Sequence, residues 1–332
     1  MMNYFGSYSM GIINRRFKYV CSLFVLLLLL CGTNVDANHG PGTGGGATTI
    51  PAITLKSGTF SLGLRTELTE FESISDSKLL RKAEKAGSFD AIDRTFIHTV
   101  DMGYGITDDL TLGLSFGWFE AINFRESELE DDEVEVFQAN PDGITDLWLS
   151  GKYRFWRGPQ GHYAFLAGVK FPTGVDDKEN NHGEKLEAVE QPGSGSYDFA
   201  TGLAYSRWFT EKWTLDTNVH YTFRTEGARD FEIGDRMDWN LATAYQVIQR
   251  NKYPNFAPVG EINVRYLLRD EEDGEDIKDS GGTTVFLSPG VRVGVTSHLG
   301  IGASVFFPVF QNLNGEQQET DFKAVVGVSY GF

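Results

Sequence analysis

From residue 59 to its last residue, the chain alternates apolar side chains with polar or small ones, and this happens in twelve separate stretches. A period of two belongs to β-strands, whose successive side chains point to opposite faces. In residues 321–332, Phe322, Ala324, Val326, Val328, Tyr330 and Phe332 share one face, while Asp321, Lys323, Val325, Gly327, Ser329 and Gly331 share the other. Residues 213–224 repeat the pattern, with Trp213, Leu215, Val219, Tyr221 and Phe223 opposite Thr214, Asp216, Asn218, His220, Thr222 and Arg224. The spacing predicts strands at 59–71, 93–104, 110–122, 143–155, 162–172, 195–207, 213–225, 236–248, 259–269, 283–295, 299–310 and 320–332. Connections are short at 105–109, 156–161, 208–212, 249–258 and 296–298. They are longer at 72–92, 123–142, 173–194, 226–235, 270–282 and 311–319. An even strand number with alternating short turns and long loops predicts an all-β fold, a transmembrane antiparallel up-and-down β-barrel of about 12 strands. Both ends of the barrel domain, 58–332, then lie on the periplasmic side.

A soluble sandwich would also alternate, but its outer face would be polar and solvated. Here the second face carries Gly113, Gly117, Gly168, Gly202, Gly290, Gly294, Gly302 and Gly327, as a crowded barrel interior needs. Closure leaves no unpaired edge in lipid. Aromatics stand at strand ends, where interfacial girdles form. Tyr104, Trp156, Tyr163, Trp208, Trp213 and Tyr253 flank short turns, and Phe71, Phe119, Phe171, Tyr197, Trp239 and Phe307 lie toward long loops. No apolar run reaches the length of a transmembrane helix, which leaves strands as the means of crossing. The net charge of −17 argues against nucleic acid as a partner, because phosphate binding needs a basic surface.

Arg15, Arg16 and Lys18 precede an apolar run at 19–31, followed by Val35 and Ala37 at the small-residue positions of a cleavage site. Residues 1–37 therefore read as a cleaved export signal. Cys21 and Cys31, the chain's 2 cysteines, leave with it, so neither disulfides nor thiol chemistry are expected in the remainder. Residues 38–57 are too glycine-rich for a helix and too long for an overhang; they are expected at the periplasmic mouth or inside the bore. His39 lacks the third-position histidine that tight amino-terminal copper sites use.

The Gly-rich start at 39–47, Gly58-Thr59-Phe60 opening the first strand, and the turn Gly105-Ile106-Thr107-Asp108-Asp109-Leu110 carry a resemblance. Gly143-Ile144-Thr145-Asp146 and Phe171-Pro172-Thr173-Gly174 extend it. The chain resembles transporter-like proteins of the phenol-degradation meta-pathway family across its length after residue 37. The resemblance implies a Gram-negative outer-membrane barrel that passes small hydrophobic compounds. The terminal Phe332, with Tyr330 and Val328, resembles the signal read by barrel-assembly machinery. These motifs are turn chemistry; Asp108-Asp109 and Asn251-Lys252 suit tight reversals.

Parity assigns the inward side chains. The basic ones are Arg65, Lys152, Arg154, Lys170, Arg224, Arg236, Arg265, Arg269, Arg292 and Lys323. The acidic ones are Glu67, Asp101, Asp146, Asp198, Asp216, Asp238, Glu261 and Asp321. Joined by His220, they either brace the wall as ion pairs or form a polar eyelet that orients permeants. Ile97, Trp148, Leu166, Leu267, Phe286 and Phe306 share that face and either fill a narrow bore or line an apolar pocket. A twelve-stranded barrel is wider than the packed eight-stranded case and narrower than an open porin.

No cofactor, resident metal or catalytic residue is expected. The acidic runs at 126–135 and 270–279 could meet divalent cations or lipopolysaccharide, but neither has an ordered calcium-loop spacing. His98 has the lipid-facing parity of Val100 and Met102 and lacks an outward serine; Ser115 points inward, and Thr66 is a poor nucleophile. The expected function is a passive channel or transporter for small, hydrophobic or aromatic molecules. The alternative is a plugged structural or surface-interaction barrel whose acidic loops meet cations or lipopolysaccharide. Outer-membrane lipid, lipopolysaccharide, the assembly machinery and a small permeant are the expected partners.

Overall fold

The structure, a computed structural model, describes residues 45–86, 88–130, 133–248 and 252–332. The expected export signal, both cysteines, His39, Asn251 and the centre of the acidic run at 126–135 lie outside the described residues.

Twelve long strands form one antiparallel sheet: β1 (Phe60–Phe71), β2 (Arg94–Thr107), β3 (Leu110–Ile122), β4 (Leu147–Gly158), β5 (Gly161–Phe171), β6 (Asp198–Trp208), β7 (Trp213–Phe223), β8 (Arg236–Tyr245), β9 (Asn255–Leu267), β10 (Gly282–Gly294), β11 (Leu299–Leu313) and β12 (Thr320–Gly331). Each pairs with its sequence neighbours. The sheet closes because β1 also pairs with β12, from Ser61 opposite Gly331 to Glu70 opposite Phe322. Closure satisfies the backbone of every spanning strand without an edge.

The two faces differ as alternation requires. Outward positions leave large apolar side chains uncovered, among them Leu112, Phe165, Phe199, Leu203, Val219, Trp239, Ile262, Leu287 and Val326. Inward positions are small or polar and mostly buried, such as Ala164, Ala204, Ser206, Asn218, Asn240 and Ser288. An apolar exterior around a polar interior is the inverse of a soluble domain and matches a barrel solvated by lipid. Of the expected girdle, Tyr104, Trp156, Tyr163, Trp213 and Tyr253 are exposed near the short turns, and Tyr197, Trp239 and Phe307 near the long loops. Phe119 is a correction. It pairs with inward Ile97 and shares the parity of Thr111, so it faces the bore.

Several strand ends move by a few residues, and two larger changes bear on the bore. The strand expected at 143–155 is broken: Asp142–Ile144 pairs with β3, and β4 begins only at Leu147. Asp146, in the gap, accepts hydrogen bonds from Gly174 N (2.8 Å) and Ser194 N (3.0 Å), drawing a long loop to the wall. β9 starts earlier than expected, at Asn255, and contains Pro258. Pairing with β8 ends at Val259, so Pro258 costs no ladder bond on that side.

The long connections are not featureless. Helix α1 (Asp76–Ala86) buries Leu79 and Ala83 against Ile74, Phe89 and Ala91. Ser88–Ala91, Phe124–Glu130 and Glu133–Ala139 form a separate three-stranded sheet. Arg125 ties these parts together, reaching Asp76 at 2.6 Å and Asp93 at 3.5 Å.

Candidate functional site: the bore and its amino-terminal strap

Residues 45–55 bond to inward side chains of β3, β4, β6, β7, β9 and β10, and a segment that meets so many strands at once lies inside the ring they form. Glu261 on β9 holds it most firmly, accepting from Ala47 N (2.5 Å), Thr48 N (3.4 Å), Thr49 N (3.2 Å) and Thr49 Oγ1 (2.8 Å). Asp216 accepts from Gly45 N at 2.7 Å, and Arg292 donates to Gly45 O at 2.7 Å. Asn218 takes Ile50 N, Ser206 takes Ala52 N, Thr111 takes Leu55 N, and Lys152 Nζ donates to Pro51 O at 3.0 Å. Gly46 must be glycine here, since a Cβ would stand 1.8 Å from the Glu261 carboxyl carbon. Two apolar patches complete the seat. Ala52 and Ile50 pack on Ala164, Leu166 and Ala204, and Ala47 packs on Phe286, Phe306 and Val325.

On the long-loop side of this strap stands a ring of charge. Asp238 on β8 is bidentate to Arg236 (2.5 and 2.8 Å), with Arg265 Nε at 3.4 Å and His220 Nε2 at 3.3 Å. Lys323 on β12 lies 3.6 Å from Glu67 on β1, and its Nζ stands 5.6 Å from the centre of the Phe286 ring. Arg65, next inward on β1, makes no ion pair within 4.0 Å among the described residues, and its Nε is a buried donor without an acceptor. Arg224 donates to Gly234 O at 2.8 Å.

At the rim, Lys170 is buried between Asp198 (2.6 Å) and Asp146 (3.4 Å) and also donates to Ser194 and Ser196. This network fastens the loop at 173–197 to the wall. Farther out, burial, then the charges of Asp90, Glu187 and Glu126, raise Glu190 well above the usual carboxyl range. Glu187 is exposed as a residue, yet desolvation of its carboxyl and repulsion from Asp90, Glu272, Glu126 and Asp270 push it up to about 8. Raised in the folded loops, these groups favour the packed loops at acidic pH, and that preference fades as pH climbs through about 8. Limited proteolysis should therefore cut the loops faster at about pH 9 than at about pH 6, and an equal or opposite trend would contradict it.

The remaining predicted positions divide between bracing and lining. Arg154 is committed to the β2–β3 turn, 2.8 Å from Asp109 and 2.7 Å from Asp108 O. Asp101 faces the bore opposite Gly63 and Ser115, and Trp148 lies over Gly168. Phe286 and Phe306 meet edge to face at 6.3 Å. Asp321, at the start of β12, and Arg269, just past β9, are exposed. Sequence reasoning passed over Thr111, Ser206, Asn218 and Asn263, which anchor the strap. Their neutral side chains carry no charge signal, and inward parity was the available clue. Outside, His98 Nδ1 meets Thr66 Oγ1 at 2.9 Å, which satisfies a polar pair on the lipid-facing side. No group of three or more His, Cys, Asp or Glu among the described residues is arranged to hold a metal ion.

A closed barrel, apolar outside and charged within, is a transmembrane β-barrel with the build of a channel. The chain belongs to the family described as "Putative MetA-pathway of phenol degradation", whose profile matches residues 41–312. No curated protein matches significantly. Three similar solved structures share little sequence with it. The Pseudomonas putida toluene transporter TodX shares 12% identity and a TM-score of 0.45, covering 90% of this chain and 93% of its own. For the CymD monoaromatic hydrocarbon channel the values are 10%, 0.42, 84% and 89%. For the NanC porin they are 9%, 0.44, 81% and 98%. At this distance the barrel stands on its own strand pairing.

Proposed function

We propose that this protein is a passive outer-membrane channel for small organic molecules, with aromatic compounds as the class suggested by its family's description. The observation that carries the reading is a wall lined by charged groups that retain accessible inward surface. Arg236 and Arg265, inward by strand parity, are each 30% exposed in their side chains. A barrel built only for rigidity would pack that space, whereas a conduit keeps it wet. The strap at 45–55 narrows the path, so permeants pass beside it or displace it. With this reading go a cleaved signal at 1–37, the short turns in the periplasm, insertion through recognition of Phe332 and long loops facing lipopolysaccharide.

Purified protein in planar bilayers tests it. Discrete conductance steps are expected, together with uptake of a small aromatic solute such as phenol into liposomes. A silent bilayer and impermeable liposomes, for the parent and for a variant lacking residues 45–55, would reject it. The seating of the strap on six strands favours a second reading, a permanently plugged barrel that acts through its acidic loops. In that case the parent alone is silent and the shortened variant conducts without any solute opening the parent.

A further inference from the structure

We propose that the charged ring above the strap is a binding subsite for the carboxylate of a small organic acid. The inference rests on the channel reading and names the class of permeant. Arg65, Arg236, Arg265 and Lys323 converge from β1, β8, β9 and β12, and the acids among them are Glu67 and Asp238. Asp101 lies one inward step toward the short turns, and Asp146 and Asp198 are engaged by Lys170. Even counting Asp101, cations outnumber carboxylates in the ring.

The hydrogen bonding is also incomplete, and on the donor side. Asp238 has both oxygens taken by Arg236 and is shared with Arg265 at 3.4 Å, a long contact for a charged pair. Lys323 reaches Glu67 only at 3.6 Å. Arg65 has a buried Nε with no acceptor among the described residues. A guanidinium offers five donors in a planar fork that suits a carboxylate, and leaving such donors unmet in a bore is costly. A carboxylate entering beside Glu67, on which all four cations act, meets this surplus.

Beside the ring lies an apolar patch: Phe306 stands opposite Lys323 in the strand register, and Phe286 packs with Phe306. A ligand with a charged head and an apolar body fits that order better than a neutral hydrocarbon. The overall charge of −17 is no obstacle, because charges on exposed loops are screened beyond about 8 Å at physiological salt.

Ion selectivity and block measure this. Under a salt gradient, the channel should prefer chloride to potassium. Millimolar benzoate should reduce the current, while benzyl alcohol, neutral and of similar size, should not. Arg65→Gln with Arg265→Gln should lower the chloride preference by about threefold or more and abolish the benzoate block. The paired Lys substitutions, which keep the charge, should retain the preference. Heat-modifiable migration on gels shows whether each variant has folded. A conducting parent that prefers potassium, or that ignores benzoate, overturns the subsite and leaves the channel standing. Silence of the parent and of the variant lacking 45–55 overturns the channel, and the subsite with it.

Discussion

Glu261→Ala is expected to raise single-channel conductance on the order of tenfold, because the strap would lose its main anchor. One carboxylate accepts four bonds from Ala47, Thr48 and Thr49. Hydrogen bonds to a charged group contribute about 1.5–3 kcal/mol each, so their loss removes the largest single share of the seat and leaves the strap on its bonds to Asp216, Asn218, Ser206, Thr111, Lys152 and Arg292, from which it opens more often. Gly46→Val attacks the same seat from the other side, since any Cβ there collides with the Glu261 carboxyl. The two variants should agree, and gel migration should show the barrel itself intact. Unchanged conductance in both would mean that the strap does not limit flow.

The second large effect is expected at the rim. Lys170→Ala leaves Asp146 and Asp198 buried side by side without their cation. Breaking a buried pair on one side costs about 3–5 kcal/mol. The loop at 173–197 should detach, because Asp146 would turn to water rather than hold Gly174 N and Ser194 N. We expect a lower temperature for gel-detected unfolding and new protease cuts within 173–197. Replacing Asp146 and Asp198 by Asn together with Lys170→Met should recover most of the loss. A single Lys170 variant as stable as the parent would contradict the assignment.

Much of the wall was legible because period two and parity act locally. The last strand could be read residue by residue, and its pairing with β1 follows from closure. Parity gives inside or outside, however, and not what stands across the bore. Nothing in the order of residues says that Glu261 meets Ala47 or that Asn218 meets Ile50, since these pairs are 214 and 168 positions apart. The charge surplus around Arg65 was hidden for the same reason: acids and bases balance along the chain and separate only when strands are stacked by height. Helix α1 escaped notice because it carries just Leu79 and Ala83 on its buried side, too few apolar residues to announce a helix inside a polar loop. Phe119 was misplaced because it was read as part of a girdle by its position at a strand end, and parity should have ruled.

The strap has one further property that follows from its covalent root. Just Gly58 and Thr59 separate residue 57 from β1, and Gly58 N is bonded to Gly105 O at 2.8 Å, so the segment is leashed to the wall it lies against. A leashed stopper faces its seat at an effective concentration in the millimolar range whatever the abundance of the protein. Any molecule that unseats it competes against that constant local supply, and the seat refills as soon as the competitor leaves. Passage would thus be metered one event at a time, with the recovery rate written into the length of the leash.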